Sequence, residues 1–116
     1  MIRIELPYPP SINHYYRHVG NKVLISRKGK EYRQEVVSIV SRLGFKTLLG
    51  PLKMDIEIWP PDRRRRDVDN VQKALLDALE HGGIYGNDSQ IHKLSIVKRE
   101  PVSGGATVVR LGVWKG

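Results

Sequence analysis

The sequence contains no cysteine among its 116 residues, which excludes disulfide bonds and thiolate zinc sites and is compatible with a reducing environment. It also lacks any run of about 18 apolar residues of the kind that crosses a membrane. Residues 1–10 alternate apolar and polar or charged side chains, whereas a signal peptide has a continuous apolar stretch. These absences predict a cytoplasmic protein with no membrane contact.

Acidic residues are outnumbered, with 12 Asp and Glu against 20 Lys and Arg and a net charge of +8 at pH 7. This excess favours a polyanionic partner such as nucleic acid, although small basic proteins that bind none also exist. The length predicts one domain, residues 1–116, that is too short to carry a separate DNA-binding module. Binding and chemistry are therefore expected to share one surface.

Hydrophobic periodicity predicts the strands. Apolar residues alternate with polar ones in residues 2–6 and most clearly in residues 52–59, the period of a half-buried strand. Residues 22–25 are expected to extend briefly as a strand after a loop at 11–20. Two further strands, about 90–99 and 106–114, are joined by a Gly-rich segment whose length suits an antiparallel hairpin.

Two amphipathic segments predict helices. The first follows Ser26 as N-cap and ends at Gly44, and the second begins at Asp69, with Gln72 completing a capping box, and ends at Gly82-Gly83. Together with the strands they predict an α+β fold, a single domain with a mixed, mostly antiparallel sheet and two helices.

The segment from Pro61 to Lys73 carries the most chemical information. Asp67 and Asp69 are two residues apart, so in extended chain they point to the same side and can face one cation. Oxygen ligands without a Cys or His partner suit Mg²⁺ or Mn²⁺ rather than Zn²⁺. In the alternative interpretation, Asp69 is only an N-cap and Asp67 a solvated charge that offsets the arginines.

Four arginines, Arg63, Arg64, Arg65 and Arg66, directly precede this pair. Alone they fit a solvated basic run equally well. Next to a pair of metal ligands they favour phosphodiester cleavage, which requires both a grip on the DNA backbone and a Lewis acid.

Lys73 lies one helical turn after Asp69, and Asp77 one turn further. This spacing fits a plain ladder of helical ion pairs. The functional interpretation places the Lys73 ammonium over the scissile phosphate, where it stabilises developing charge. Asn70 fits a hydrogen bond to a ligand carboxylate or a phosphate, or a capping role.

Asp88 is the best candidate for a third carboxylate, although a turn aspartate explains it as well. A helix from 69 to about 81 is roughly 18 Å long. If residues 82–88 run back to its start, the strand from 90 descends antiparallel to the strand 52–59. Otherwise Asp88 must reach the site of a partner subunit.

The loop near the N-terminus mixes aromatic and basic side chains. Asn13, Tyr16 and Arg17 fit a clasp on unpaired nucleotides, with base stacking on the aromatic ring. Core packing of either Tyr15 or Tyr16 is the alternative.

Three separated blocks of the chain carry a family resemblance. They are Pro9-Pro10-Ser11 with Asn13, Tyr16 and Arg17; residues 61–70 with Lys73 and Asp77-Ala78-Leu79; and Asn87-Asp88. In these blocks, and across nearly its full length, the chain resembles the RusA-type Holliday-junction resolvases.

The resemblance implies a homodimer that binds four-way junction DNA and nicks two opposing strands with Mg²⁺ or Mn²⁺ in recombination and repair. Family members are typically encoded by phages or prophages. Carried over residue by residue, Asp67, Asp69 and Asp88 would be the metal ligands and Lys73 the essential basic residue. Relatives often have acidic residues directly after an aromatic at this third position, whereas here Gly86 and Asn87 intervene and leave one carboxylate. A non-catalytic nucleic-acid-binding protein and a metal-dependent ribonuclease are the alternatives.

Overall fold

The computed structural model describes every residue from Met1 to Gly116. It contains six strands, three α-helices and one 3-10 turn. In chain order these are β1 (Ile2–Leu6), α1 (Ile12–Tyr15), β2 (Tyr16–Val19), β3 (Lys22–Ile25), α2 (Arg27–Leu43), β4 (Leu52–Trp59), α3 (Asp69–His81), the 3-10 turn Asp88–Gln90, β5 (Ile91–Lys98) and β6 (Ala106–Val113).

The main sheet has the strand order β1-β6-β4-β5, and its buried face carries the core. In β4 every second side chain is buried, as its period-two pattern predicts. The long helices α2 and α3 contact each other and supply the other half of one continuous core. The α+β prediction is confirmed. None of the helices combines the length and the apolar composition that crossing a membrane requires.

The strand directions differ from the prediction. β5 pairs parallel to β4, and β6 lies antiparallel between β1 and β4, so β5 and β6 form no hairpin. The cause is α3, which carries the chain back along the sheet before β5 begins, as in a β-α-β crossover. β5 therefore begins at the same end of the sheet as β4.

The predicted C-terminal ends of both long helices are confirmed, whereas the predicted N-cap is confirmed only for α2. At α2, the Ser26 side chain accepts a hydrogen bond from Gly29 N at 3.0 Å, and Gly44 ends the helix with a φ of 68°. At α3, Val68 is the N-cap and no side chain caps the helix. The predicted capping box from Asp69 to Gln72 is wrong, because Asp69 already lies inside the first turn.

The predicted loop at residues 11–20 contains regular structure. The short helix α1 leads into β2, which pairs antiparallel with β3 as a two-stranded ribbon outside the main sheet. Ser26 N donates to the Tyr15 carbonyl at 2.8 Å, and Gly29 approaches Tyr15 so closely that a Cβ there would lie 2.4 Å from the Tyr15 carbonyl oxygen. This close contact fixes the ribbon against the start of α2.

Candidate active site

The N-terminal end of α3 presents three charged side chains to solvent. Asp67, Asp69 and Lys73 are exposed, and none of them forms an ion pair within the chain. Asp67 contributes only its carbonyl, which accepts from Asn70 N at 3.3 Å. Two carboxylates and an ammonium group are thus left free for a ligand.

Asp77 does not take part in the ion-pair ladder that its spacing from Lys73 allows. Arg33 on α2 donates to Asp77 Oδ2 at 2.8 Å, and the Tyr15 hydroxyl donates to the same oxygen. Burial of Asp77 opposes its ionisation, but these two hydrogen bonds outweigh it and hold the Asp77 pKa below its ordinary value. Neither Asp77 nor Asp69, each one turn away on α3, forms an ion pair with Lys73.

The arginine run divides into one fixed and three exposed residues. Asp62 holds Arg66 through an ion pair, and the Arg66 guanidinium lies 5.9 Å from the centre of the Tyr8 ring. The hydrogen bond from Arg66, together with one from Arg64 N at 2.9 Å, lowers the Asp62 pKa to about 2. Arg63, Arg64 and Arg65 project into solvent. Arg64 Nε lies 3.9 Å from Asp62 Oδ2, but its side chain is 82% exposed. The structure therefore separates the half-buried Arg66, which shapes the loop, from the other three.

Asp88 lies at the opposite end of α3 from Asp67 and Asp69. Its backbone N donates to Glu80 Oε1 at 2.7 Å, in the last turn of the helix. Glu80 is 11 residues beyond Asp69, which corresponds to roughly 16 Å along a helix axis. No three His or acidic side chains of the chain lie close enough together to hold a metal ion.

The sequence left two paths open for residues 82–88, and the structure excludes the return to the start of the helix. Gly83, with a φ of 79°, turns the chain at the end of α3. The Asn87 side chain then caps the 3-10 turn through Ser89 N, and the Gln90 side chain binds back to Asn87 N at 3.1 Å. The Asp88 carboxylate is exposed and forms no hydrogen bond within the chain.

The segment near the N-terminus that contains Asn13, Tyr16 and Arg17 contacts α3 through Tyr15. Asn13 and Arg17 are exposed, whereas Tyr16 is half-buried and packs edge-on against Tyr15, with ring centres 4.9 Å apart. Tyr15 is the core tyrosine, fully buried, with its hydroxyl on Asp77. The structure thus joins this segment to α3 one turn beyond Lys73.

The sequence does not indicate that one further basic residue lies beside the candidate site. Lys98, the last residue of β5, donates from Nζ to the carbonyl oxygen of Arg66 at 2.9 Å, directly beside Asp67. Only the parallel pairing of β5 with β4 brings it there, and residue spacing does not reveal strand direction.

A family model described as "Endodeoxyribonuclease RusA" matches residues 7–111 of the chain. The chain belongs to the RusA family. Three relatives carry the name crossover junction endodeoxyribonuclease RusA. The protein from Shigella sonnei is 42% identical, that from Escherichia coli strain K12 41%, and that from Enterobacteria phage 82 43%, each over 94% of both chains. RusA relatives therefore occur in phages as well as bacteria, as the resemblance implies.

Proposed function

We propose that this protein is a crossover junction endodeoxyribonuclease, a single-domain Holliday-junction resolvase. It acts in the cytoplasm as a homodimer and nicks opposing strands of four-way junctions with Mg²⁺ or Mn²⁺. The observation that carries the proposal is the absence of internal partners for Asp67, Asp69 and Lys73, which stand together after an arginine run. Unpaired charges are common on protein surfaces, so the grouping is what counts: two carboxylates and an ammonium group follow three exposed arginines within residues 63–73.

The residues at the start of α3 fit a divalent cation. Asp67 and Asp69 offer hard carboxylate oxygens, and neither is occupied by a cap or an ion pair. Mg²⁺ is commonly held by one or two carboxylates together with substrate phosphate oxygens. When bound, such an ion supplies the Lewis acidity that favours attack of water on phosphorus.

The remaining side chains would bind and orient the DNA. Lys73, on the exposed face of α3, stabilises the charge that develops on the scissile phosphate. Asn70, half-buried beside the two aspartates, hydrogen-bonds a ligand carboxylate or a phosphate oxygen. The other DNA contacts are Asn13, Tyr16 and Arg17 on the N-terminal side and Arg63, Arg64 and Arg65 before α3, with Arg66 shaping their loop.

A dimer gives Asp88 a place in the site. Within one subunit the length of α3 separates it from Asp67 and Asp69. In a two-fold dimer each surface contacts its counterpart reciprocally. Two copies whose α3 helices run antiparallel across the axis would bring Asp88 of each to the aspartate pair of the other. This arrangement forms two equivalent sites, as two symmetric incisions require.

The proposal is tested by incubating the protein with a labelled four-way junction, a linear duplex of the same sequence and an RNA duplex, each with Mg²⁺ or EDTA. We expect paired nicks in the junction, only with Mg²⁺. Cutting of RNA in preference would indicate a ribonuclease, and binding without any cutting would indicate the non-catalytic alternative.

A further inference from the structure

A groove lies between the loops that follow β4 and β5. These parallel strands end side by side, because Ile58 pairs with Lys98 and Arg99 N donates to the Ile58 carbonyl at 2.8 Å. The groove has a volume of about 490 Å³, and the carboxyl ends of parallel strands are a common place for ligands. Its charged lining consists of Asp62, Arg63, Arg64, Lys98, Arg99 and Glu100.

The groove carries more positive charge than its own carboxylates can neutralise. Four cationic and two acidic side chains line it, an excess of two positive charges. Asp62 is engaged by Arg66. Glu57, beside the groove, is shared by Arg99 at 2.9 Å and Arg110 at 2.5 Å. An anion would balance this excess.

The groove is joined to the proposed metal site. The Lys98 ammonium donates to the Arg66 carbonyl at 2.9 Å and lies one peptide unit from Asp67. It has no carboxylate partner, so its charge is available to a ligand. A DNA strand that places one phosphate at the cation held by Asp67 and Asp69 can therefore place the next phosphate in the groove.

We infer that this groove binds a phosphodiester of the cleaved strand next to the scissile one, with Lys98 and Arg99 as the contacting side chains. The inference rests on the proposed function for the identity of the scissile phosphate. The groove then sets the path of the strand across the active site.

Arg99 and Arg110 provide a matched pair for the test, because both bind Glu57 but only Arg99 lines the groove. Junction affinity is measured in EDTA over a range of salt concentrations, so that no cleavage is needed. We expect Arg99→Gln to weaken binding and to reduce the slope of log affinity against log salt by about 0.9, the value for one lost phosphate contact. Arg110→Gln should keep the parent's slope. Equal slopes for Arg99→Gln and the parent, or equal losses in both variants, would overturn the inference.

A second measurement locates the phosphate. Neutral methylphosphonates replace single phosphates around the cut position, and each modified junction is tested with the parent, Arg99→Gln, Lys98→Gln and Lys98→Arg. At one position next to the cut, the modification should weaken binding by the parent and have little further effect on either Gln variant. Lys98→Arg, which keeps the charge, should behave as the parent does. Independent, additive losses at every position would refute a groove contact.

These binding results separate the inference from the proposed function. A parent whose salt slopes show binding through the groove but that cuts no DNA with Mg²⁺ would contradict the proposed function and leave the groove as a phosphate site with no scissile neighbour. A parent that cuts junctions but shows no coupling between Arg99 or Lys98 and any phosphate would contradict only the groove.

Discussion

Asp77 is bound by Arg33, 2.8 Å away on the neighbouring helix, and not by Lys73 one turn earlier on its own helix. Asp77 and Arg33 are each about three-quarters buried, with side-chain exposures of 24% and 23%. The pair joins α2 to α3, while Lys73 remains free in solvent. Asp77 and Lys73, one turn apart on α3, thus have separate roles. Asp77 stabilises the packing of the two helices, and Lys73 belongs to the candidate site.

This separation predicts that Asp77→Ala lowers stability, whereas Lys73→Ala lowers activity and leaves stability nearly unchanged. Asp77→Ala leaves Arg33 and the Tyr15 hydroxyl without their acceptor, so the free energy of unfolding should fall by about 1–3 kcal/mol. Lys73→Ala should change it by less than about 0.5 kcal/mol, as for an ordinary surface substitution, yet abolish junction cutting. Urea denaturation and a cleavage assay measure the two effects. A Lys73→Ala protein that unfolds as readily as Asp77→Ala would show that Lys73 supports the fold instead.

The ion pair between Asp62 and Arg66 predicts a pH dependence. Because the folded-state pKa of Asp62, about 2, lies below its ordinary value of 3.8, its ionisation stabilises the fold above pH 4. That contribution disappears as the pH falls from about 4 to about 2. Carboxyl NMR titration of the parent should give the low pKa, and Arg66→Gln should raise it towards 3.8. An unchanged Asp62 pKa in Arg66→Gln would mean that Arg66 does not bind Asp62 in solution.

The exposed arginines are predicted to supply salt-dependent affinity. Changing both Arg64 and Arg65 to Ala should weaken junction binding and reduce the salt slope by up to about 1.8, since each side chain is assigned one phosphate contact. Fluorescence anisotropy with junction and duplex of equal length measures both the slope and the preference for junctions. The assignment is wrong if the double variant binds both DNAs as tightly as the parent does at every salt concentration.

Asp67→Asn and Asp69→Asn should each reduce cutting by orders of magnitude, because an amide keeps the shape but removes the charge that holds a divalent cation. Junction binding should persist or tighten, since a repulsion of the phosphates is lost. The free energy of unfolding should fall by no more than about 1 kcal/mol at Asp69, which caps nothing but lies in the first turn, where the helix dipole favours its charge. Cleavage and EDTA-binding assays on each variant check these outcomes, and cutting at the parent's rate would remove that residue from the ligand set.

The elements of the fold were largely predictable from the sequence. The alternation in β4, the serine cap of α2 and the glycines that end both long helices depend on neighbouring residues, so the sequence carries them directly. The directions of β5 and β6 depend on where α3 places the chain, which residue spacing does not encode. The strand predicted at residues 22–25 is β3, whereas its partner β2 was missed because most of its residues are exposed and no alternation of burial marks it.

The candidate site was predictable in part. Adjacency in the chain is enough to group the arginines with Asp67 and Asp69, and helical spacing adds Lys73. Two roles needed the structure. Asp77 binds Arg33 because α2 packs against α3. Lys98 lies beside the site only because β5 pairs parallel to β4. The sequence left two places for Asp88, the site of its own subunit or that of a partner, and the parallel direction of β5 leaves the partner subunit as the proposed one.

A heterodimer measurement tests the shared active site most directly. Asp67→Asn and Asp88→Asn subunits carrying different affinity tags are co-expressed, and dimers with one of each are purified through both tags. In a shared site, both mutations of such a dimer fall in one centre and the other centre is intact. We therefore predict nicking at about half the parent's rate, from one site of the two-fold pair, while both mutant homodimers are inactive.

The matched control is the heterodimer of Asp67→Asn with Asp69→Asn, in which both centres carry a mutation and no activity should return. Activity restored in the Asp67–Asp88 heterodimer and absent in this control is the result that the shared site predicts. An Asp67–Asp88 heterodimer as inactive as its homodimers would contradict it and place each complete site within one subunit.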